Sequence, residues 1–552
     1  MTNIEIARSF SLLADLLEIH GENPFKIKSY TNVAATIEDW PSALHTMSDE
    51  ELYRIPGVGQ AIGEKVRQLQ HTGHMSALQK AIDATPAGIR EMLQIAGLSA
   101  KKTGTIWRAL EIDTIDALEE AAAQNRIAPL KGFGAKTQEG IAEAVAFYKS
   151  NLGYFMWAKA EAMMQELISM LQAAFPEKTF APTGALRRQE DVINHMELVT
   201  DASAESIKKW ILQKEEVVLI EEGDFLQFTL PHWPVIGIHF ATKDEFAYRL
   251  FQTTGSTDFI QAFEERFTPD KLAVDEETIF QQAGMAFIPP SLRMSAAYLD
   301  KDIPQLINPT DIKGLIHCHS TYSDGAATLE QMANTARDKG LEYMVISDHS
   351  QAAQYAKGLY PDRILKQHEE IDLLNEQLAP FRIFKSIEAD ILPDGNLDYN
   401  EQVLSSFDLI IASVHSSLKM NEAKAMSRLL KAIEHPFTTI LGHMTGRLLL
   451  RRAGYPVDHK KIIDACAANK VVIEINANPR RLDMDWTWIP YALEKGILLS
   501  VNPDAHSVNG IDDIRYGVMA AQKGGLTAKD NLSSFSLKEF EAFLEEARQK
   551  RR

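Results

Sequence analysis

The chain has 552 residues, 45% of them apolar and 24% charged, with a net charge of −19 and two cysteines. That length is room for two to four domains. Cys318 and Cys466 are too few for a disulfide framework, so a reducing cytoplasm is the expected compartment. The start, MTNIEIARSF, has no basic stretch before an apolar run, so no signal peptide is expected. The apolar stretches are too short to span a bilayer, and no membrane is expected among the partners. An acidic chain carries no broad basic face for nucleic acid. Any hold on DNA must come from local backbone contacts or from bound cations.

In chain order, residues 1 to about 150 read as short amphipathic helices between glycine turns, beginning with a helical period over Ile4 to Ile19. RIPGVGQAIGEKVRQL, from Arg54 to Leu69, places Gly57 and Gly59 at a tight turn before a helix. Backbone N–H groups at such a helix start can hold a phosphate. LKGFGAKTQEGI, from Leu130 to Ile141, repeats the pattern with Gly132, Gly134 and Lys136. QIAGLSAKKTGTIW, from Gln94 to Trp107, is a degenerate third copy, with Ala96 and Ser99 in place of proline and glycine. A long helix is expected from Tyr154 to Phe175. FLQFTL and VIGIHFA then read as strands, IKKWIL and EFAYRLF as helices, and the proline-rich stretch from Pro289 to Pro309 as a linker.

From Ile312 onward seven short apolar runs alternate with helical patterns: LIHCH, YMVISDH, FRIFKSIEAD, LIIASVH, TTILGH, VVIEINA and ILLSV. Such alternation predicts a parallel α/β sheet, closed into a barrel. Nearly every run ends in a metal-type ligand. His317 and His319, two residues apart, are expected on one side of their strand. Asp324 follows in a turn, and Asp348, His349, Glu388, His415, His443, Asp504 and His506 end later runs. Strand C-termini of a parallel barrel share one mouth. Nine donors, His317, His319, Asp324, His349, Glu388, His415, His443, Asp504 and His506, exceed the needs of one ion. Two or three divalent ions of manganese, zinc or iron are expected, with phosphoester hydrolysis as their chemistry. His368, His435 and His459 lie in helical or loop patterns and are expected to be structural.

HCHSTYSDG, SDH, the Glu388 strand, SVHSS, LGHMTGR and DAHS resemble the PHP phosphoesterase domain, whose distorted seven-stranded barrel holds a trinuclear metal centre. EINANPRRLD, from Glu474 to Asp483, resembles the segment that closes this site in polymerase-linked members. Arg447, Arg480 and Arg481 are the nearest candidates for a phosphate or DNA backbone. Asp324, Arg447 and Arg481 are accordingly taken as the residues nearest the chemistry.

The glycine turns resemble helix-hairpin-helix elements, and the order of parts resembles bacterial family X DNA polymerases. GENPFKIKSY (21–30) and GMAFIPPSLR (284–293) extend the likeness. The resemblance implies a multidomain fold. An all-α helix-hairpin-helix region would have a DNA-end-binding domain over 1–80 and a fingers-like part over 81–150. An α+β nucleotidyltransferase-like palm and thumb would follow over 151–297, then a linker over 298–311 and a distorted (β/α)7 PHP barrel over 312–552. Gly57, Gly59, Lys65, Gly132, Gly134 and Lys136 would face DNA, and Lys65 matches the family's lyase lysine. The palm departs from the family at its catalytic carboxylates. TGALRRQEDVINHMEL (183–198) has Ala185 for the family's serine, and Asn194, His195, Met196 and Glu197 where Gly-Asp-x-Asp belongs. Gly237 stands at the third aspartate, and Ile260 replaces an asparagine. Magnesium needs oxygen donors in strict octahedral geometry, so polymerisation is expected to be lost.

The leading expectation is a monomeric DNA-repair phosphoesterase, a 3′-5′ exonuclease or 3′-end phosphodiesterase acting on nicked, gapped or 3′-ended DNA. The alternatives are a phosphatase on a small phosphomonoester, akin to histidinol phosphatases, and a residual polymerase. No protein partner is indicated.

Overall fold

A computed structural model describes residues 1–38, 40, 42–214, 216–221 and 225–550. The chain divides into two compact units, Met1–Leu152 and Gly153–Arg552.

The first unit is all helical. Its opening helix α1 (Asn3–Ile19) starts at a Thr2–Glu5 capping box, which satisfies N–H groups left open at a helix start. Ile6, Phe10, Leu13, Leu16 and Ile19 recur at helical spacing and are buried. Three further helices, α2 (Gln60–Thr72), α3 (Ala100–Leu110) and α4 (Ala135–Ser150), each follow one of the glycine turns.

The second unit begins with helix α5 (Trp157–Ala174). Its five-stranded sheet comprises β1 (Phe180–Thr183), β2 (His195–Thr200), β3 (Val218–Glu221), β4 (Phe225–Thr229) and β5 (Val235–Phe240), in the order β1-β2-β5-β4-β3. β2 and β5 run parallel with Glu197 opposite Gly237. Helices Phe246–Thr254, Thr257–Arg266 and Glu276–Gln282 pack around Phe251, Phe259, Phe263 and Phe280. Buried Arg293 lies over three phenylalanine rings and pairs with Glu276, which Arg187 also reaches. The proline-rich stretch carries short 3-10 turns and buries Leu292, Leu299 and Ile307. Ile307 donates its N–H to the Leu526 carbonyl at 2.9 Å, so this segment is packed into the fold.

Seven parallel strands follow: β6 (Gly314–Cys318), β7 (Tyr343–Ile346), β8 (Arg382–Asp390), β9 (Leu409–Ser413), β10 (Ile440–Leu441), β11 (Val472–Asn476) and β12 (Leu499–Asn502). They pair in chain order. The ring is drawn together where Ala505, just past β12, bridges Cys318 and His319 donates its N–H to the Ala505 carbonyl at 2.8 Å. The strands are buried along most of their length, as expected of a parallel sheet covered on both faces. Ile316, Val345, Ile411, Ile440 and Val472 fill the interior with Phe540 and Leu544 of the C-terminal helix α7 (Leu537–Lys550). That plugs one end and leaves the strand C-termini for the site.

The preceding helix α6 (Ile514–Lys523) meets the palm. Its Lys523 has a wholly buried side chain and pairs with Asp191, which also accepts from Arg447 at 3.1 Å. Trp157 of α5 packs edge-on against Tyr516.

Candidate metal centre

The ligands converge because each strand ends at the same mouth, but the first pair gets there by an irregularity. At His317 the pairing of β6 with β7 shifts register, and His317 has φ +61°. Simple alternation, the basis for expecting His317 and His319 on one side, does not hold across this step. The bulge re-aims His317, and the two rings lie 5.3 Å apart. Asp504 also has positive φ, +53°, a conformation that costs a non-glycine residue roughly 1–3 kcal/mol.

Glu388, fully buried at the end of β8, is the hub. Its carboxylate oxygens lie 2.9 Å from His349 Nδ1, 2.9 Å from His443 Nε2, 3.1 Å from His415 Nε2, 3.3 Å from His317 Nε2 and 3.7 Å from His319 Nε2. Asp504 Oδ1 lies 3.1 Å from His319 Nε2 and 3.6 Å from His317 Nε2. Asp324 Oδ1 faces His506 Nε2 at 3.4 Å and His349 Nε2 at 3.6 Å.

Among the described residues the donors form three overlapping groups: His319, Asp324, His349 and His506; His317, His319 and Asp504; and His349, Glu388 and His415. His443 completes the set through Glu388. His317 Nε2, His319 Nδ1, His349 Nδ1, His443 Nδ1 and Glu388 Oε2 are buried without a well-formed hydrogen bond. Buried polar atoms are nearly always satisfied. This many orphans in one place, on imidazoles and a carboxylate, fit metal ions as the missing partners.

The electrostatics agree. Burial alone would push the Glu388 carboxyl up, but His415, His317 and His349 outweigh it and hold it well below the carboxylate range. Asp504 is likewise held far down by His317, His319 and His506 against burial. Burial, helped by His506 and His349, lowers His319 to about 3. Glu388 and Asp390 override burial at His415 and raise it to about 10.

A second layer of carboxylates orients the imidazoles, as is usual around metal-binding histidines. His317 Nδ1 donates to Glu474 Oε2 at 2.6 Å, and His415 Nδ1 to Asp390 Oδ1 at 3.1 Å. Glu474 also accepts from Asn476 at 2.9 Å, Asn502 at 2.9 Å and the His443 N–H at 3.1 Å. Sequence reasoning gave neither Glu474 nor Asp390 this role. Asp390 stands two residues from Glu388 on one strand, and that spacing was the available signal. Changing Glu474 to Gln is expected to lower metal-dependent hydrolysis about 10- to 100-fold, checked by steady-state rates across a metal titration.

Asp348 lies outside the ligand groups. Ser320, Ser323 and Gln367 saturate its oxygens, so it fixes the turn that carries Asp324. His368 packs edge-on against Phe407 and His459 stacks on Trp488, while His435 Nδ1 accepts from the Phe437 N–H at 3.3 Å. All three are absent from the ligand groups. Arg481 Nε lies 3.5 Å from Asp504 Oδ2, at the edge of the cluster. Arg480 is exposed. The Arg447 guanidinium is engaged by Asp485, Asp191 and the carbonyls of Arg481 and Leu482.

In the N-terminal unit the three turns share one geometry. Gly57, Gly97 and Gly132 have φ of +82°, +84° and +88°, and Gly59, Ser99 and Gly134 cap the helices that follow. Gly59 and Gly134 supply no capping side chain, so the helix starts stay open to a phosphate. Ser99 instead accepts from the Lys102 N–H, closing the degenerate copy on itself. Lys136 is exposed, and Lys65 Nζ donates to the Ala61 carbonyl at 2.8 Å.

Residues 1–75 match the helix-hairpin-helix domain model, and residues 316–478 match the PHP domain model. A Bacillus subtilis protein named DNA polymerase/3′-5′ exonuclease PolX is 33% identical over 565 aligned positions, covering 98% of this chain and 99% of its own length. The chain belongs to the PolX family. A probable phosphatase of Thermoanaerobacter is 25% identical over 245 positions, covering 42% of this chain and 95% of its own. A probable phosphatase of Escherichia coli is 28% identical over 170 positions, 29% of this chain and 62% of its own. This PolX-family chain therefore joins a helix-hairpin-helix domain to a metal-dependent PHP hydrolase domain. Among the described residues no helix is long and apolar enough to cross a membrane.

In this PolX-family member a side chain at Gly237 would require the Phe225 ring to shift. A Cβ on Gly237 would lie 2.6 Å from Phe225 Cζ and 3.4 Å from Glu197 Cγ. The Phe225 ring is stacked on His239 at 4.5 Å, and the Glu197 carboxylate faces His239 Nε2 at 3.5 Å. Arg187 and Arg188 are paired with Glu276 and Glu190.

Proposed function

We propose that the PHP domain hydrolyses phosphodiesters at DNA 3′ ends, as a 3′-5′ exonuclease or 3′-end phosphodiesterase in DNA repair, and that the palm no longer polymerises. The observation that carries this reading is the hub at Glu388, with nine donors at one barrel mouth and Arg481 at its edge. Two or three divalent ions of manganese, zinc or iron suit this mixed imidazole and carboxylate set. His317, His319, Asp324, His349, Glu388, His415, His443, Asp504 and His506 would hold them. When bound, such ions supply an activated water and neutralise phosphoryl oxygens. The protein's own part is orientation and charge. Glu474 and Asp390 fix His317 and His415, and Arg481 offers a guanidinium to the phosphate. Arg447 holds the Arg481 segment through its two carbonyl contacts, so its share in catalysis is indirect.

Gly57, Gly59, Gly132 and Gly134, with Lys65 and Lys136 nearby, would grip the DNA backbone without reading sequence. That matches an acidic chain, because main-chain N–H groups need no basic surface. The cytoplasm and a monomeric state complete the proposal.

A second reading, a phosphatase for small phosphomonoesters, is favoured by the probable phosphatases that match 42% and 29% of this chain. The test compares kcat/KM on a duplex with a recessed 3′ end against p-nitrophenyl phosphate, both with manganese. Preference for DNA is expected. Rapid turnover of the monoester with DNA left intact would give the phosphatase reading the site.

A further inference from the structure

Tyr355 stands at the mouth of the metal centre with 72% of its surface exposed. Its ring centroid lies 6.3 Å from that of His349. The loop that carries it is tied down at both ends. Leu359 donates its N–H to the His349 carbonyl at 2.9 Å, and Gly358 donates to Ala353 at 3.1 Å. Ala352 donates to Asp398 at 2.7 Å, and Gln351 donates its N–H to the Tyr399 hydroxyl at 3.1 Å. A Cβ on Gly358 would lie 1.9 Å from the Ser350 carbonyl oxygen, so the two arms of the loop pass as close as backbones can. The ring thus projects from a rigid base. Its hydroxyl has no hydrogen-bond partner among the described residues, so the side chain does no visible work in holding the fold.

The ring stands at the edge of the ligand cluster, next to His349. An open aromatic face therefore stands beside one metal-type ligand, His349, while the Arg481 guanidinium reaches another, Asp504. Aromatic rings beside cations are the elements with which proteins hold single-stranded nucleic acid: the bases stack and the phosphates pair. A small phosphomonoester without a base has no use for the ring.

We propose that Tyr355 is a stacking platform for the base of the terminal nucleotide whose phosphodiester lies on the metal centre, making this residue a substrate contact that selects nucleic-acid ends over small phosphoesters. This rests on the phosphodiesterase reading above. It asks for an unpaired end, because a base still paired in a duplex has no free face for the ring.

The test is steady-state digestion by the full chain with manganese. The substrates are single-stranded oligonucleotides ending in an ordinary nucleotide or in an abasic tetrahydrofuran residue. Stacking on an aromatic side chain is usually worth about 5- to 150-fold per base. Tyr355→Ala should raise KM by a factor in that range on the ordinary end, with kcat nearly unchanged. Tyr355→Phe and Tyr355→Trp should keep KM within about twofold of the parent, since both retain a π-face. On the abasic end the parent and Tyr355→Ala should match. If Tyr355→Ala digests ordinary ends like the parent, or loses equally on abasic ends, the platform is refuted while the nuclease stands. If the parent leaves all DNA intact, the nuclease reading and the platform fall together.

Discussion

Replacing Glu388 with alanine is expected to lower phosphodiester hydrolysis on the order of 1,000-fold or more, beyond the roughly 10- to 100-fold typical of residues that only orient a metal ligand. Five imidazoles approach its two oxygens within 3.7 Å. Its removal deprives the centre of the carboxylate at its hub and leaves like-charged or orphaned rings facing each other. Metal content should fall with activity, because the charge that balances bound cations is gone. Glu388→Gln keeps the volume but loses the charge, and is expected to fall between parent and alanine. Elemental analysis alongside steady-state rates checks both statements. Full activity with a full metal complement in Glu388→Ala would mean that the hub has been misread.

The second large effect concerns the palm. Gly237→Asp is expected to destabilise the protein by ~1–3 kcal/mol from overpacking alone, without restoring nucleotide incorporation. The new Cβ would meet Phe225 at 2.6 Å, and the new carboxylate would sit opposite Glu197. Two neighbouring carboxylates repel unless cations separate them. Thermal melting reads the first effect and primer extension the second. An unchanged melting temperature together with new incorporation would show that Phe225 yields easily and that the polymerase site survives.

Much of the barrel was legible because two independent signals coincide. Strand-length apolar runs gave the sheet, and the residue closing nearly every run was a metal donor. The expectation that Gly237 stands where the family has its third aspartate came from the resemblance, and the structure places Gly237 opposite Glu197 on the neighbouring parallel strand. What stayed hidden depends on pairings between distant residues. The bulge at His317 arises where β6 meets β7, not from its own pattern. Glu474 and His317 are 157 residues apart, and Asp191 and Arg447 are 256 apart, yet both pairs are in direct contact. Asp348 looked like a ligand by chemistry, but the serines and Gln367 around it already fill its lone pairs. Arg447 looked like a free cation for phosphate, and the carboxylates that engage it come from the palm and from the loop after Leu482. The packing of Phe225 against Gly237 is a cross-strand contact that no one-dimensional pattern reports. The glycine turns were legible, whereas the self-capping of Ser99 follows only from its side-chain rotamer.

The most direct measurement incubates the manganese-supplemented protein with a 5′-labelled duplex carrying a recessed 3′ end, with and without dNTPs, beside a His317→Ala/His319→Ala variant. The parent should shorten the labelled strand, the variant should not, and dNTPs should never extend it. Extension by the parent, or shortening that persists in the variant, would contradict a PHP-centred nuclease with a silent palm.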